Sequence, residues 1–355
     1  MEIQGWMVKA LGEPMVLEGR GEEAGPGEVL VEVAGCGVCH TDLGYYYDGV
    51  PTRHPLPLVL GHEISGEVVA AGEGAESWLG AKVVVPAVIP CGECEACRDG
   101  RGSICPRQVF PGNDDHGGFA THVKVPARGL CRVPELEDSA VNPKGLRLSD
   151  LAVVADAIST PYQALLRSGL REGDLAVFLG CGGVGGFGVQ IAKSMGAKVV
   201  AVDVDPDRLE AMRACGADLC VDSSRTEFKA MKKEIRAFAK EHGVPTWRRR
   251  IFETSGHPKG QEAAFGLLEH GGFLSVVGYT PRKVEVRFSN LMALDATAQG
   301  NWGCLPEHYP AVVDLVLSGG VSLEGFIEHR SLSTINETFE EIHEGRARRR
   351  VILEP

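Results

Sequence analysis

The stretch Leu175-Ala-Val-Phe-Leu-Gly180-Cys-Gly182-Gly-Val-Gly185 decides the fold. Its apolar run has the length of a buried parallel strand, and the glycines lead through a tight turn into a helical pattern at 183–195. The rhythm continues downstream: a strand at 198–202, a helix at 206–214, a strand at 218–221 and a helical segment within 225–242. A strand around Ile251 and Phe252, a helix at 258–269 and a strand at 272–277 follow. Such alternation predicts an α/β architecture with a parallel, doubly wound sheet. Within 225–242, Phe228, Met231, Ile235 and Phe238 recur at steps of three and four, marking one helix face, with Lys and Arg on the solvated side.

A Gly-x-Gly-x-x-Gly run directly after a strand and opening a helix has the context of a dinucleotide site. The first glycine permits the turn, the second lets backbone approach a pyrophosphate, and the third lets helix and strand pack closely. The helix N-terminus presents free N–H groups to the phosphates. Gly180, Gly182, Gly183, Val184 and Gly185 are therefore the expected cofactor-binding positions. Asp203 ends the next strand, where a carboxylate accepts from the ribose hydroxyls and repels a 2′-phosphate, which points to NAD. Arg208 is a further candidate for the ribose or phosphate. The competing reading is a Gly-rich turn with an N-capping Asp203.

Outward from this core the chain changes character. Residues 1–150 carry short β-branched runs broken by Gly and Pro, such as Val29-Leu-Val-Glu-Val33, Gly66-Glu-Val-Val-Ala70 and Val83-Val-Val85, the pattern of a compact β-domain. Beyond the alternating region come helical patterns at 306–318 and 335–343 and a terminal strand, Arg350-Val-Ile-Leu353. The 355 residues correspond to about two domains. With Lys+Arg 36 against Asp+Glu 48, the net charge of −12 argues against a nucleic-acid partner or a polybasic membrane anchor, since both need a positive face. No apolar run is long enough to span a membrane, and the N-terminus has no basic-then-apolar leader, so a cytoplasmic location is expected.

The 11 cysteines are an odd number, and four crowd into 91–105. That points to reduced thiols and metal rather than a disulfide framework. Cys91, Cys94, Cys97 and Cys105 lie close enough on a Gly-containing loop to close a tetrahedron around Zn²⁺ with no open position, a structural site. A second set is dispersed: Cys39 in Gly37-Val-Cys-His-Thr-Asp42 and His62 in Gly61-His-Glu63. Read alone, these are a core thiol and a loop histidine or two metal ligands. Asp42 as a carboxylate behind a ligand histidine, and Glu63 as a further candidate ligand, favour the metal.

Together these residues resemble the zinc-dependent medium-chain alcohol dehydrogenases over nearly the whole chain. The GVCHTD string at 37–42, the histidine motif from Gly61, the four-cysteine loop and the glycine fingerprint with Asp203 carry the likeness. The histidine motif departs from the family only at Ala75, where Val is usual. The resemblance implies a GroES-like catalytic domain from 1–157 and 296–355, with a Rossmann NAD-binding domain at 158–295 between them. It implies two Zn²⁺ per chain, NAD, and assembly into a homo-oligomer, a dimer or tetramer. It also implies a third ligand for an open catalytic zinc at Asp156, where many relatives carry Cys, so that the set reads Cys39, His62 and Asp156. The competing role for Asp156 is to cap the helix that follows. Thr41 corresponds to the family's proton-accepting hydroxyl, and His40 to a residue used near the pyrophosphate. The histidine that ends the proton relay in several relatives is replaced by Gly44.

The implied activity is reversible hydride transfer between NAD and a secondary alcohol. Three strings, at 42–49, 53–62 and 109–118, are further similar to members that oxidise the ring hydroxyl of a cyclic hydroxyacyl-CoA in aromatic catabolism. That likeness implies an acyl-CoA substrate, with Arg53, Arg107 and Arg128 as candidate phosphate contacts and Tyr45, Tyr46 and Tyr47 as an aromatic wall or a packed segment. Other readings of the same motifs are a simple secondary alcohol as substrate, an enoyl reductase of the same fold, and a non-catalytic NAD-binding structural or sensor protein.

Overall fold

The computed structural model describes residues Met1–Pro355. It divides into two compact units, Met1–Ser159 with Gly303–Pro355, and Thr160–Trp302.

The second unit is built on the strand Leu175–Leu179, which is buried along its whole length. Strand order in its sheet is Leu219–Asp222, Lys198–Asp203, Leu175–Leu179, Arg249–Glu253, Phe273–Val276 and Thr297–Gly300. Every neighbouring pair is parallel. The helices Gly185–Ser194, Pro206–Ala214, Phe228–Glu241 and Pro258–Leu267 alternate with the strands, as the periodicity required. Order reverses at Leu175–Leu179: the next strand in the chain pairs on one side of it and Arg249–Glu253 on the other. Ligands of open α/β sheets bind outside the carboxyl ends of strands at such a point. Phe178 and Phe252 stack across it, ring centroids 4.8 Å apart. In helix Phe228–Glu241 the buried face is Met231, Ile235 and Ala239; Phe228 lies at its margin, against Gly266.

A domain limit at 295/296 would cut off the edge strand of this sheet. Thr297–Gly300 pairs in parallel with Phe273–Val276, so the nucleotide unit runs on to Trp302. Its sequence, Thr-Ala-Gln-Gly, carries no apolar alternation because the strand is largely exposed, which is why periodicity passes over it.

The first unit joins both chain ends. The terminal strand Arg350–Glu354 pairs antiparallel with Glu28–Gly37 and parallel with Ile327–Ser331. Glu28–Gly37 also pairs with Glu63–Ala71 and His122–Pro126, forming the centre of a 7-stranded sheet. A 3-stranded sheet of Val16–Gly21, Glu2–Val8 and Leu58–Val59 completes this unit's β-structure. Its core gathers Leu30, Ile64, Val83, Phe119, Phe339 and Val351, so residues from both ends of the chain share one apolar interior.

Candidate active site

In the first unit, Cys39 leaves the end of strand Glu28–Gly37 and caps the short helix His40–Tyr46. His62 follows a turn at Gly61, where φ is +98° and a Cβ would stand 2.8 Å from the Cys36 sulfur, so only glycine fits. Asp42 joins the two segments. One of its oxygens accepts the Cys39 N–H at 2.9 Å, and the other accepts the Gly61 N–H at 3.2 Å and faces His62 Nδ1 at 3.2 Å. That contact leaves His62 Nε2 pointing at Asp156 Oδ2, 3.6 Å away, and Cys39 Sγ lies 3.6 Å from the same oxygen. The Asp156 carboxylate thus faces both Cys39 and His62.

Ligand atoms of Cys39, His62, Glu63 and Asp156 all fall within 4.8 Å of one another. Tetrahedral zinc with sulfur at about 2.3 Å and oxygen at about 2.0 Å puts those ligands roughly 3.5 Å apart. The observed spacing fits such an ion, and the donor set suits zinc. Burial acts to lower the pKa of His62, but the Asp42 charge and bonding with Asp156, Asp42 and Cys39 outweigh it and hold it well above the ordinary value.

Glu63 is completely buried and opposes Arg350, itself almost buried, through a two-point ion pair. Arg350 Nε donates at 2.9 Å to Glu63 Oε2, and Nη2 donates to Oε1. Oε1 also accepts the N–H of Ala157 at 3.1 Å, which fixes the backbone just after Asp156. Sequence reading named Glu63 but not Arg350: nothing local announces a partner that the terminal strand delivers. Burial pushes the Glu63 carboxyl up while Arg350 pulls it down, leaving it above the usual range.

Thr41 Oγ1 lies 3.7 Å from Cys39 Sγ and is half-buried, whereas His40 is exposed. Phe110 closes one side of His62, ring centroids 4.9 Å apart, and clusters with Ala87 and Val88. Of the tyrosine triplet, Tyr45 accepts from Asn113 at 2.6 Å, Tyr46 donates to the Glu13 carbonyl at 2.6 Å, and Tyr47 stacks on His343. These are packing roles, so the packed-segment reading holds. Arg53 pairs with Asp114 at 3.4 Å, Arg107 with Glu93 at 2.8 Å, and Arg128 donates to the Pro90 carbonyl.

The four cysteines of the 91–105 loop converge as expected. Sulfur–sulfur distances are 3.4 Å for Cys94–Cys97, 3.7 Å for Cys94–Cys105 and 3.9 Å for Cys91–Cys97. Tetrahedral zinc–thiolate geometry gives about 3.8 Å. All 11 cysteines are free thiols, so no disulfide competes for them.

In the second unit each fingerprint glycine meets its expected constraint. Gly180 has φ +92°, and a Cβ there would stand 2.6 Å from Ser255 Cα; at Gly185 it would stand 1.8 Å from the Gly180 carbonyl oxygen. Gly182 faces open space except for Arg208 Nη1 at 3.8 Å, a gap that a phosphate can approach. Gly183 and Val184 complete the turn into helix Gly185–Ser194. Asp203 is nearly buried. Its Oδ2 accepts the Cys181 N–H at 2.6 Å, and Oδ1 accepts those of Val204 and Asp205 at 2.7 and 2.9 Å. The carboxylate therefore also ties the fingerprint turn to its own strand, and Arg208 sits 3.9 Å from it.

Residues 25–135 match the family described as alcohol dehydrogenase GroES-like domain, and residues 183–318 that described as zinc-binding dehydrogenase. An alcohol dehydrogenase of Geobacillus stearothermophilus is 31% identical over 330 residues, 92% of this chain and 91% of that protein. An L-threonine 3-dehydrogenase of Pyrococcus abyssi is 31% identical over 337 residues, 93% of this chain and 92% of that protein. Among solved structures, the alcohol dehydrogenase of Aeropyrum pernix superposes with a TM-score of 0.86 at 27% identity, covering 99% of this chain and 100% of that one. The chain belongs to the zinc-dependent medium-chain alcohol dehydrogenases, oxidoreductases that act on a CH–OH group with NAD and zinc.

Proposed function

We propose that this protein oxidises a secondary alcohol at the Cys39, His62 and Asp156 site, with NAD held by the Gly180–Gly185 fingerprint and Asp203. The observation that carries the reading is the convergence of those three side chains on one point, ordered from behind by Asp42 and by the Glu63–Arg350 pair. Zinc in that position supplies Lewis acidity that eases loss of a hydroxyl proton, and NAD supplies a hydride acceptor. Thr41 accepts the proton. With glycine at 44 there is no side chain to carry it further, and half-buried Thr41 passes it directly to water. Asp42 keeps His62 Nε2 aimed at the metal position by bonding Nδ1. Cys91, Cys94, Cys97 and Cys105 hold a second, closed zinc, while His40 and Arg208 contribute to the phosphate and ribose.

The finer reading is a cyclic hydroxyacyl-CoA substrate, as in 6-hydroxycyclohex-1-ene-1-carbonyl-CoA dehydrogenase of anaerobic benzoyl-CoA degradation. Its support is the three similar strings and their meeting in one place: Tyr45 bonds Asn113, Arg53 pairs with Asp114, and Phe110 covers His62. A small free alcohol is the second reading, favoured by the names of the relatives and by the local partners that already engage Arg53, Arg107 and Arg128. The thiol set fits a cytoplasmic location, and no helix is long and apolar enough to cross a membrane. A second copy of the chain is the expected partner, giving a dimer or tetramer. The exposed edge strand Thr297–Gly300, with Phe288 and Met292 exposed on the same unit, supports that expectation.

The test combines zinc content with a panel of simple alcohols and matched hydroxyacyl-CoAs, read by NADH absorbance. Asp156→Ala should fold, keep NADH binding and the four-cysteine zinc, lose the other zinc, and lower kcat about 100-fold or more. Full zinc content and full activity in that variant would remove Asp156 from the site.

A further inference from the structure

Asp156 lies between the 3₁₀ segment Ser149–Ala155 and the helix Ser159–Arg167, with φ −142° and ψ −57°. These angles belong to neither helix nor strand, so no repeating ladder sets its conformation. Its two flanking peptide groups must be held one at a time. The peptide after Asp156 gives its N–H, on Ala157, to Glu63 Oε1 at 3.1 Å. The peptide before it presents the carbonyl of Ala155, a completely buried residue. That carbonyl accepts the Tyr309 hydroxyl, and also the Ser159 hydroxyl at 3.2 Å.

Tyr309 opens the helix Tyr309–Leu317 and is completely buried. Its hydroxyl serves two segments at once, donating to the Ala155 carbonyl and accepting the N–H of Ala87 at 3.3 Å. Ala87 and Val88 pack with Phe110, and Phe110 lies against His62. Just upstream, a Cβ at Gly303 would stand 2.6 Å from Val88 Cγ2, so the chain leading to Tyr309 is pressed against the same wall. One phenol oxygen therefore joins the peptide before Asp156 to the residues that cover His62. Phenylalanine would fill the same space. The hydroxyl adds a tie to a backbone that neither helix nor strand secures, and it is satisfied as donor and acceptor without water.

We propose that Tyr309 is a positioning residue for the zinc at Cys39, His62 and Asp156: its hydroxyl holds the Ala155–Asp156 peptide so that the Asp156 carboxylate stays aimed at the other two ligands. The proposal rests on the reading of Asp156 as a zinc ligand. The aspartate carboxylate turns about two torsions, so its oxygen goes where the backbone sends it. A small rotation of the preceding peptide is enough to carry Oδ2 away from Cys39 Sγ and His62 Nε2, each now 3.6 Å from it. Glu63 secures one side of the ligand and Tyr309 the other, and Tyr309 acts only through Asp156.

Competition with the chelator 4-(2-pyridylazo)resorcinol on the zinc-loaded protein tests this, the ion that Asp156→Ala lacks marking the Cys39 site. Tyr309→Phe keeps the ring and should bind that zinc about 10-fold more weakly, with the four-cysteine zinc unchanged. With Co²⁺ in the Cys39 site, the visible d–d bands should shift in Tyr309→Phe, a change that lowered folding stability does not produce. Ser159→Ala removes the other side-chain donor to the same carbonyl and should weaken the same ion about 3-fold. Tyr46→Phe breaks a comparable bond, to the Glu13 carbonyl in the same unit, and should leave affinity and bands unaltered. Wild-type affinity and bands in Tyr309→Phe, or in Ser159→Ala should Tyr309→Phe not fold, overturn the proposal. An equal loss in Tyr46→Phe overturns it as well. In these cases loss of one zinc from Asp156→Ala leaves the ligand reading intact; two zinc ions retained in Asp156→Ala remove both.

Discussion

Two carboxylates show how far a single residue can be read. Asp203 was legible as an acid at a strand end, but its three backbone donors were not, because they depend on the dihedral angles of a turn that no spacing reports. Those bonds change what its replacement should do. Asp203→Ser removes the charge that repels a 2′-phosphate and also frees the Cys181 N–H, so cofactor binding should weaken while discrimination narrows. A charge-assisted hydrogen bond contributes about 1.5–3 kcal/mol, which sets the expected rise in KM for NAD at roughly 10- to 100-fold. The NAD-to-NADP ratio of kcat/KM should shrink in the same variant. Equal kinetics with both cofactors in the unmodified protein would contradict the role given to Asp203. Asp156 was harder still: it stands alone in sequence, and only resemblance pointed to it before the geometry brought it to Cys39 and His62.

At the level of elements, what could be read was what repeats. The strands and helices of the nucleotide unit follow the apolar period closely, whereas the polar edge strand Thr297–Gly300 leaves no such trace. The four-cysteine loop is the reverse case, legible from ligand spacing although it is almost devoid of regular structure. Its helices, Glu95–Arg98 and Gly102–Ile104, are single turns, and among the four cysteines only Cys105 is buried. Such a segment buries too little apolar surface to order itself, so metal must do so. Cys97→Ser should lose that zinc, lower the Tm by several degrees and raise protease sensitivity within 91–105. Zinc at the Cys39 site should remain, because that site draws its order from the core sheet. A Cys97→Ser protein with unchanged Tm and two zinc ions would show that the loop orders without its metal.

For the whole molecule, net charge decides a question that the site leaves open. A CoA thioester brings several phosphate charges to a chain whose own net charge is −12, so long-range attraction is absent and local cations must compensate. Arg53 stands beside Asp114, within the cluster formed by the three similar strings, but it is already paired. If CoA binds there, a phosphate must draw the exposed Arg53 guanidinium away from the largely buried Asp114 carboxylate, and the new phosphate contact at the surface is one that salt screens. Free CoA should then inhibit competitively against the acyl-CoA, and its affinity should fall several-fold between about 50 and about 500 mM salt. Arg53→Ala should raise KM for the thioester about 10-fold and leave kcat near its original value, since the arginine binds a remote part of the substrate equally in ground and transition states. The same variant should handle cyclohexanol as the unmodified protein does. Cyclohexanol matching the thioester in kcat/KM, with no inhibition by free CoA, would instead place the substrate among small free alcohols. The roles proposed for Cys39, His62, Asp156, Thr41 and the fingerprint would stand in either case, because each is assigned to the hydroxyl or to the dinucleotide and none to the thioester.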